Sequence, residues 1–176
     1  MDTGDIILKQ EVEIGENETT GELWNKLAIV GGNLLVQTLE QIKNGTAKRE
    51  KQIGNYSMAP MLDRTIAKID WENKTAEEIK NLIRGLDPIM GAYAIYKGNK
   101  IKFWKAKINH EIEYDQEKSK RLKNGTVIIS TPKEGLFIKT KKGILQILEI
   151  QAPNAKRMNI QDFLRGNKLN EFEVFE

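Results

Sequence analysis

Asp2-Thr3-Gly4-Asp5 sets two carboxylates in a tight turn that runs at once into the apolar residues Ile6-Ile7-Leu8. An acidic turn leading into a strand is the kind that edges an active site, although Asp and Gly are ordinary turn formers and the same residues also make a plain terminal loop. The sole histidine, His110, stands beside Glu111 and Glu113, but one imidazole with alternating acids falls short of a metal site, and no metal is expected. With no cysteine in the chain there is no thiolate nucleophile, disulfide framework or Cys-type zinc site. Gly31-Gly32 lacks the flanking Gly and Lys of a phosphate loop.

The cations offer a different chemistry. Lys100, Lys102, Lys105 and Lys107 crowd one short stretch, Lys118, Lys120, Arg121 and Lys123 another, and Lys139, Lys141 and Lys142 surround a turn. Lys156, Arg157 and Arg165 follow, and Lys48, Arg49, Lys51 and Arg64 precede them. Residues 1 to 50 carry 5 basic against 9 acidic residues, whereas residues 51 to 170 carry 23 against 13. Glu171, Glu173 and Glu176 follow that basic stretch. A chain so divided suggests two functional units, the second suited to a polyanion, although a solvated lysine-rich surface would carry the same charges. Side chains of this type hold phosphates without reading bases, so the binding expected is salt-sensitive and weakly sequence-selective. Trp24, Trp71 and Trp104 are too scattered for a stacking platform and are expected in packing.

Elements must position these residues. Ile6-Ile7-Leu8 with Val12 and Ile14 predicts a strand, and Thr19 with Glu22 has capping-box spacing before a helix with a wide apolar face, from Leu23 to Ile42, that stops at Asn44-Gly45. One strand cannot cover that face, which predicts the remnant of a layered α/β domain. Residues 46 to 66 lack periodicity and read as a linker. Thr75 and Glu78 form a second capping box, and Ile79, Leu82, Ile83 and Leu86 give a helical stripe ended by Asp87-Pro88. Five strands are predicted, over 92–96, 100–108, 126–130, 136–140 and 144–150, with residues 111 to 124 as a long exposed loop. The fold expected is mainly β with α: an OB-like five-stranded antiparallel barrel preceded by a strand-helix remnant. At 39% hydrophobic and 30% charged residues the composition is that of a soluble globular protein. No apolar run approaches the roughly 18 residues of a membrane span and no secretory signal is present, which predicts a cytoplasmic location.

Four segments spread over nearly the whole chain resemble the methionyl-tRNA formyltransferase family. They are Asp2-Thr3-Gly4-Asp5, Thr20-Gly21-Glu22-Leu23-Trp24-Asn25-Lys26-Leu27-Ala28, Ile69-Asp70-Trp71 with Ile83-Arg84-Gly85-Leu86-Asp87-Pro88, and Lys156-Arg157-Met158 with Asp162-Phe163-Leu164-Arg165-Gly166. The resemblance implies a Rossmann-like formyl transfer domain ending near residue 46, a linker over 47–66 and an OB-like tRNA-binding domain over 67–176. It implies 10-formyltetrahydrofolate as formyl donor and initiator methionyl-tRNA as acceptor, with Asp2 the last of an Asn, His and Asp catalytic set, and Thr3 and Gly4 in the folate loop. Ile89-Met90 stands where members usually have Trp-Pro, and Met61 where they usually have Lys. No Asn-x-His string occurs, so the expectation is a C-terminal portion, inactive alone but retaining tRNA affinity, whose N-terminal half is lost or separately encoded. Two other readings stay open: formyl transfer to an amino sugar nucleotide, and a non-catalytic RNA-binding barrel in which residues 1 to 45 dimerise.

Overall fold

A computed structural model describes residues 4–54, 57–59, 61–110 and 121–176. The chain divides into two compact units, Met1–Met61 and Leu62–Glu176. In the first, helix α1 (Thr20–Lys43) begins at a complete capping box, in which the Thr19 hydroxyl accepts from the Glu22 backbone N–H while the Glu22 carboxylate accepts from the Thr19 N–H. No residue of α1 is buried, and Trp24 is 65% exposed, so the packing expected for this tryptophan is not found. The strand expected over residues 6 to 14 is not formed either. Its one ladder contact is an isolated bridge in which Ile6 and Glu50 exchange backbone hydrogen bonds of 2.8 Å. A strand needs a neighbour for every second N–H and C=O, and here only the segment at Glu50 supplies one. Among the described residues, 46–61 contain no helix and no strand beyond that bridge.

The second unit is built round one antiparallel sheet. A 3₁₀ turn (Arg64–Ala67), capped by Asp63, leads to α2 (Ala76–Gly85), which again starts at a full capping box, Thr75 with Glu78. The strands are β1 (Ala92–Tyr96), β2 (Asn99–Asn109), β3 (Val127–Thr131), β4 (Gly135–Lys139), β5 (Ile144–Gln151) and the two-residue β6 (Met158–Asn159), followed by α3 (Ile160–Gly166). Five strands run in the order β1-β2-β5-β4-β3, with β6 added on β5. The β1–β2 turn is Lys97-Gly98, both at positive φ, the geometry that matches the twist of a two-residue hairpin. Inward residues of every long strand, with Ile79 and Ile83 of α2 and Ile160 and Phe163 of α3, make one apolar core.

What closes the barrel is the acidic C-terminal strip. Phe172 and Phe175 donate backbone N–H to Val127 and Gly125 at 2.8 and 2.9 Å, and Val127 donates back to Glu173 at 2.8 Å. Ile95 and Glu176 then exchange bonds of 2.7 and 2.8 Å. The strip thus satisfies edge groups of both β3 and β1, which would otherwise stand unpaired. Phe175 drops its ring among Tyr96, Phe103 and Trp71, at centroid distances of 4.9, 5.4 and 6.2 Å. Gly125 permits this approach: a Cβ there would lie 2.4 Å from the Phe175 carbonyl oxygen, and its φ is +86°.

Glu173 pins the strip. It accepts from Lys97 Nζ at 2.7 Å, from Asn170 Nδ2 at 3.0 Å and, in a short bond, from the Tyr96 hydroxyl. The Lys97 bond above all, then those from Tyr96 and Asn170, holds its carboxyl at about 2 against an ordinary 4.5. A carboxylate with a depressed folded-state pKa contributes stability that is complete above about 4.5 and is lost as pH falls through about 2. The difference in melting temperature between the parent chain and Glu173→Gln should therefore shrink across that window. A gap independent of pH would show that the carboxylate charge does not hold the strip.

Candidate nucleic-acid interface

Side chains alternate across a strand, so Lys100 and Lys102 would normally share a face that Lys105 and Lys107 do not. The fold removes the conflict with a bulge. Phe103 pairs with Ile150 and Lys105 with Glu149, leaving Trp104 as an extra residue on β2, and a compensating irregularity on β5 follows at once. Ile101 and Phe103 point inward before the bulge and Ala106 and Ile108 after it, so all four lysines stand on the outer face. From Lys100 to Lys107 the row spans about 20 Å at ~3.3 Å per residue. A signal for this was present in the sequence: the apolar spacing changes from two to three between Phe103 and Ala106.

Trp104 seals the bulge. Its ring covers Gly91, where a Cβ would come within 2.9 Å of the indole, and its Nε1 donates to Gln151 at 3.0 Å. Trp71, like Trp104, is buried, as expected. Over the Trp104 ring lies the Arg157 guanidinium, 5.1 Å from the centroid. Arg157 makes a two-pronged bond to Asp87, at 2.9 and 3.0 Å, and a further short bond to Glu149. Burial disfavours its charge, but the bonds from Asp87 and Glu149 outweigh that and raise its pKa. This arginine ties the end of α2 to β5 and β6, and its hydrogen-bonding edges are turned to carboxylates. Arg157→Ala would leave the Asp87 carboxylate, 8% exposed, unpaired; with Arg157 itself partly solvated the expected cost is about 2–3 kcal/mol. Lys105→Ala should cost under ~0.5 kcal/mol; equal losses in chemical denaturation would refute the distinction.

The remaining cations fall in several places. Lys68, not among the residues singled out from sequence, forms a parallel bridge with Tyr93 of β1, and Ile69 N–H donates to the Tyr93 carbonyl at 2.8 Å. That bridge brings the 3₁₀ turn bearing Arg64 to the edge of β1 that faces away from β2, across that strand from Lys100 and Lys102 on β2. Lys141 and Lys142 sit exposed in the β4–β5 turn, whose backbone bonds to Lys74 and Ala76 seat it at the start of α2. Lys139 is less available: burial lowers its pKa and its Nζ donates to Asn124. Lys156 is exposed, and Arg165 pairs with Asp162. Arg121 and Lys123 precede β3, while Lys118, Lys120, Glu111 and Glu113 lie outside the described residues. His110 is exposed at the end of β2.

In the first unit Lys48 and Arg49 line a shallow groove with Ile7, Leu8, Lys9 and Glu50. Asp2 and Thr3 lie outside the described residues; Gly4 is exposed and its carbonyl accepts from Gln52 Nε2 at 2.7 Å. Among the described residues no three His, Asp or Glu side chains converge as metal ligands, and no helix is long and apolar enough to cross a membrane.

Residues 61–168 match the family described as formyl transferase, C-terminal domain. A methionyl-tRNA formyltransferase of Clostridium beijerinckii is 44% identical over 171 residues, 97% of this chain and 53% of the relative. That of Clostridium tetani is 41% identical over 177 residues, 100% of this chain and 54% of the relative. The chain thus spans about half the length of the curated relatives it matches. Among solved structures, HypX from Aquifex aeolicus in complex with tetrahydrofolic acid is similar with a TM-score of 0.66 at 16% identity, over 93% of this chain and 28% of that one. At that identity the likeness concerns the fold alone.

Proposed function

Because the chain belongs to the formyl transferase C-terminal domain family, we propose that it is the C-terminal part of a methionyl-tRNA formyltransferase and that it holds the tRNA. The observation that carries this reading is the bulge of β2, which turns Lys100, Lys102, Lys105 and Lys107 onto one face. Ammonium groups in a row release condensed counterions when they meet successive phosphates, and that release drives binding without base readout. Arg64, Lys68, Lys141 and Lys142 extend the cationic surface, and Lys156 and Arg165 add to it. Lys48 and Arg49 of the first unit are proposed as further phosphate contacts. Arg157 is proposed to serve the site by holding Trp104 and the bulge in place.

The relatives' names place an aminoacylated tRNA as their acceptor, and initiator methionyl-tRNA is the species proposed here. The donor proposed is 10-formyltetrahydrofolate; Asp2 and Thr3 lie outside the described residues, and the exposed Gly4 has its carbonyl accepting from Gln52. Asp2 is proposed as the carboxylate of the transfer site, which also needs an Asn and a His at a spacing that this sequence does not contain. A catalytic N-terminal half as partner and a cytoplasmic setting, as for translation enzymes, complete the reading.

Titration with a tRNA at two ionic strengths tests it. Binding at low salt that weakens steeply on raising the salt is expected; no binding at low salt, or an affinity indifferent to salt, would overturn the proposal.

A further inference from the structure

Resting on the reading that this face meets RNA, the surroundings of Tyr93 suggest what part of the RNA it meets. Ala92 and Ala94 on either side of Tyr93 are wholly buried, so the pleat turns the tyrosine outward, opposite Lys102 in the β1–β2 register. Its ring is anchored against the core along one side. Lys100 Nζ lies over it, 3.6 Å from the centroid, and Lys68 bridges to its backbone. An outward aromatic ring with Lys100 over it, and with Lys68 and Lys102 paired to the same residue from either side, exceeds what duplex phosphates require. Proteins combine cations with an aromatic face where they hold unpaired nucleotides: the base stacks and the cations take the flanking phosphates. A lysine resting on a partly exposed ring is weakly held, so a base can displace Lys100, which then turns to a phosphate. Trp104 cannot serve this way, because it is buried, its Nε1 is bound to Gln151 and Arg157 lies over its ring.

We propose that Tyr93 is the floor of a subsite for an unpaired nucleotide, with Lys100 and Lys102 holding the adjoining phosphates. The test compares a single-stranded RNA with a blunt RNA duplex of matched phosphate number, each titrated with the full chain by fluorescence anisotropy. Tyr93→Leu, which keeps apolar bulk but has no ring face, should bind the single strand about ten-fold more weakly, leaving duplex binding and the salt slope unchanged. Tyr93→Phe should bind the single strand like the parent chain. Equal loss on both RNAs, no loss on the single strand, or a Phe variant as weak as the Leu variant would overturn the subsite. On the unaltered protein, photocrosslinking with a bromouridine-containing strand should map to Tyr93, and a crosslink mapped only elsewhere would overturn the subsite even if the Leu variant misfolds. If the parent chain binds neither RNA at low salt, the tRNA reading itself fails and takes the subsite with it.

Discussion

Alanine at Lys100, Lys102, Lys105 and Lys107 together lowers tRNA affinity about a thousand-fold in ~0.1 M salt and leaves the barrel folded. Each phosphate contact contributes about 0.7–0.9 to the slope of log affinity against log salt, so four contacts remove about 3 from it. Over the decade from ~1 M to ~0.1 M salt, a slope difference of about 3 corresponds to that thousand-fold loss. The fold survives because these side chains stand on the outer face while the packing lies beneath, in Ile101, Phe103, Ala106 and Ile108. Arginine at the same four positions should keep the slope, since the charge is retained. A quadruple alanine variant that melts normally and binds within a few-fold of the parent would remove the β2 face from the binding site.

Phe175→Ala has the largest effect on stability, an expected loss of about 3–5 kcal/mol, which lowers the melting temperature by roughly 10–20 °C. The ring is 1% exposed and meets three other aromatic rings, so its removal leaves a cavity where backbone geometry prevents collapse. The strip also occupies both sheet edges, and loosening it exposes the backbone of β1 and β3. Phe175→Leu should recover part of the loss, because an apolar side chain still fills the space. A loss below ~1 kcal/mol for the alanine variant would mean that the strip merely lies on the barrel. Melting followed by circular dichroism decides this.

Local chemistry was legible in the sequence and non-local pairing was not. Both capping boxes, Thr19 with Glu22 and Thr75 with Glu78, are formed as their spacing required, since all the partners lie within one helical turn. The five strands fall within a residue or so of their expected limits, because alternation and turn residues are local signals. The strand expected over residues 6 to 14 failed because a strand depends on a partner elsewhere in the chain. The acidic strip after Glu171 was hidden for the opposite reason: its composition suggests solvent, yet Phe175 and Glu173 have partners in Tyr96 and Lys97. In the candidate site the lysine row was visible, but the single face it shares depends on the Trp104 bulge. The pairing of Arg157 with Asp87, 70 positions earlier, had no local signal either. Lys68 had no signal at all, because only its bridge to Tyr93 draws it to the surface in question.

The most direct measurement is lysine acetylation of the whole chain with and without bound tRNA, each site quantified by mass spectrometry. The sequence contains no cysteine, so thiols do not compete for the reagent. Protection of Lys100, Lys102, Lys105 and Lys107, with Lys133 in the β3–β4 turn left reactive, is the expected result. Unchanged reactivity along β2 while tRNA is bound would contradict the central claim that this face holds the phosphates.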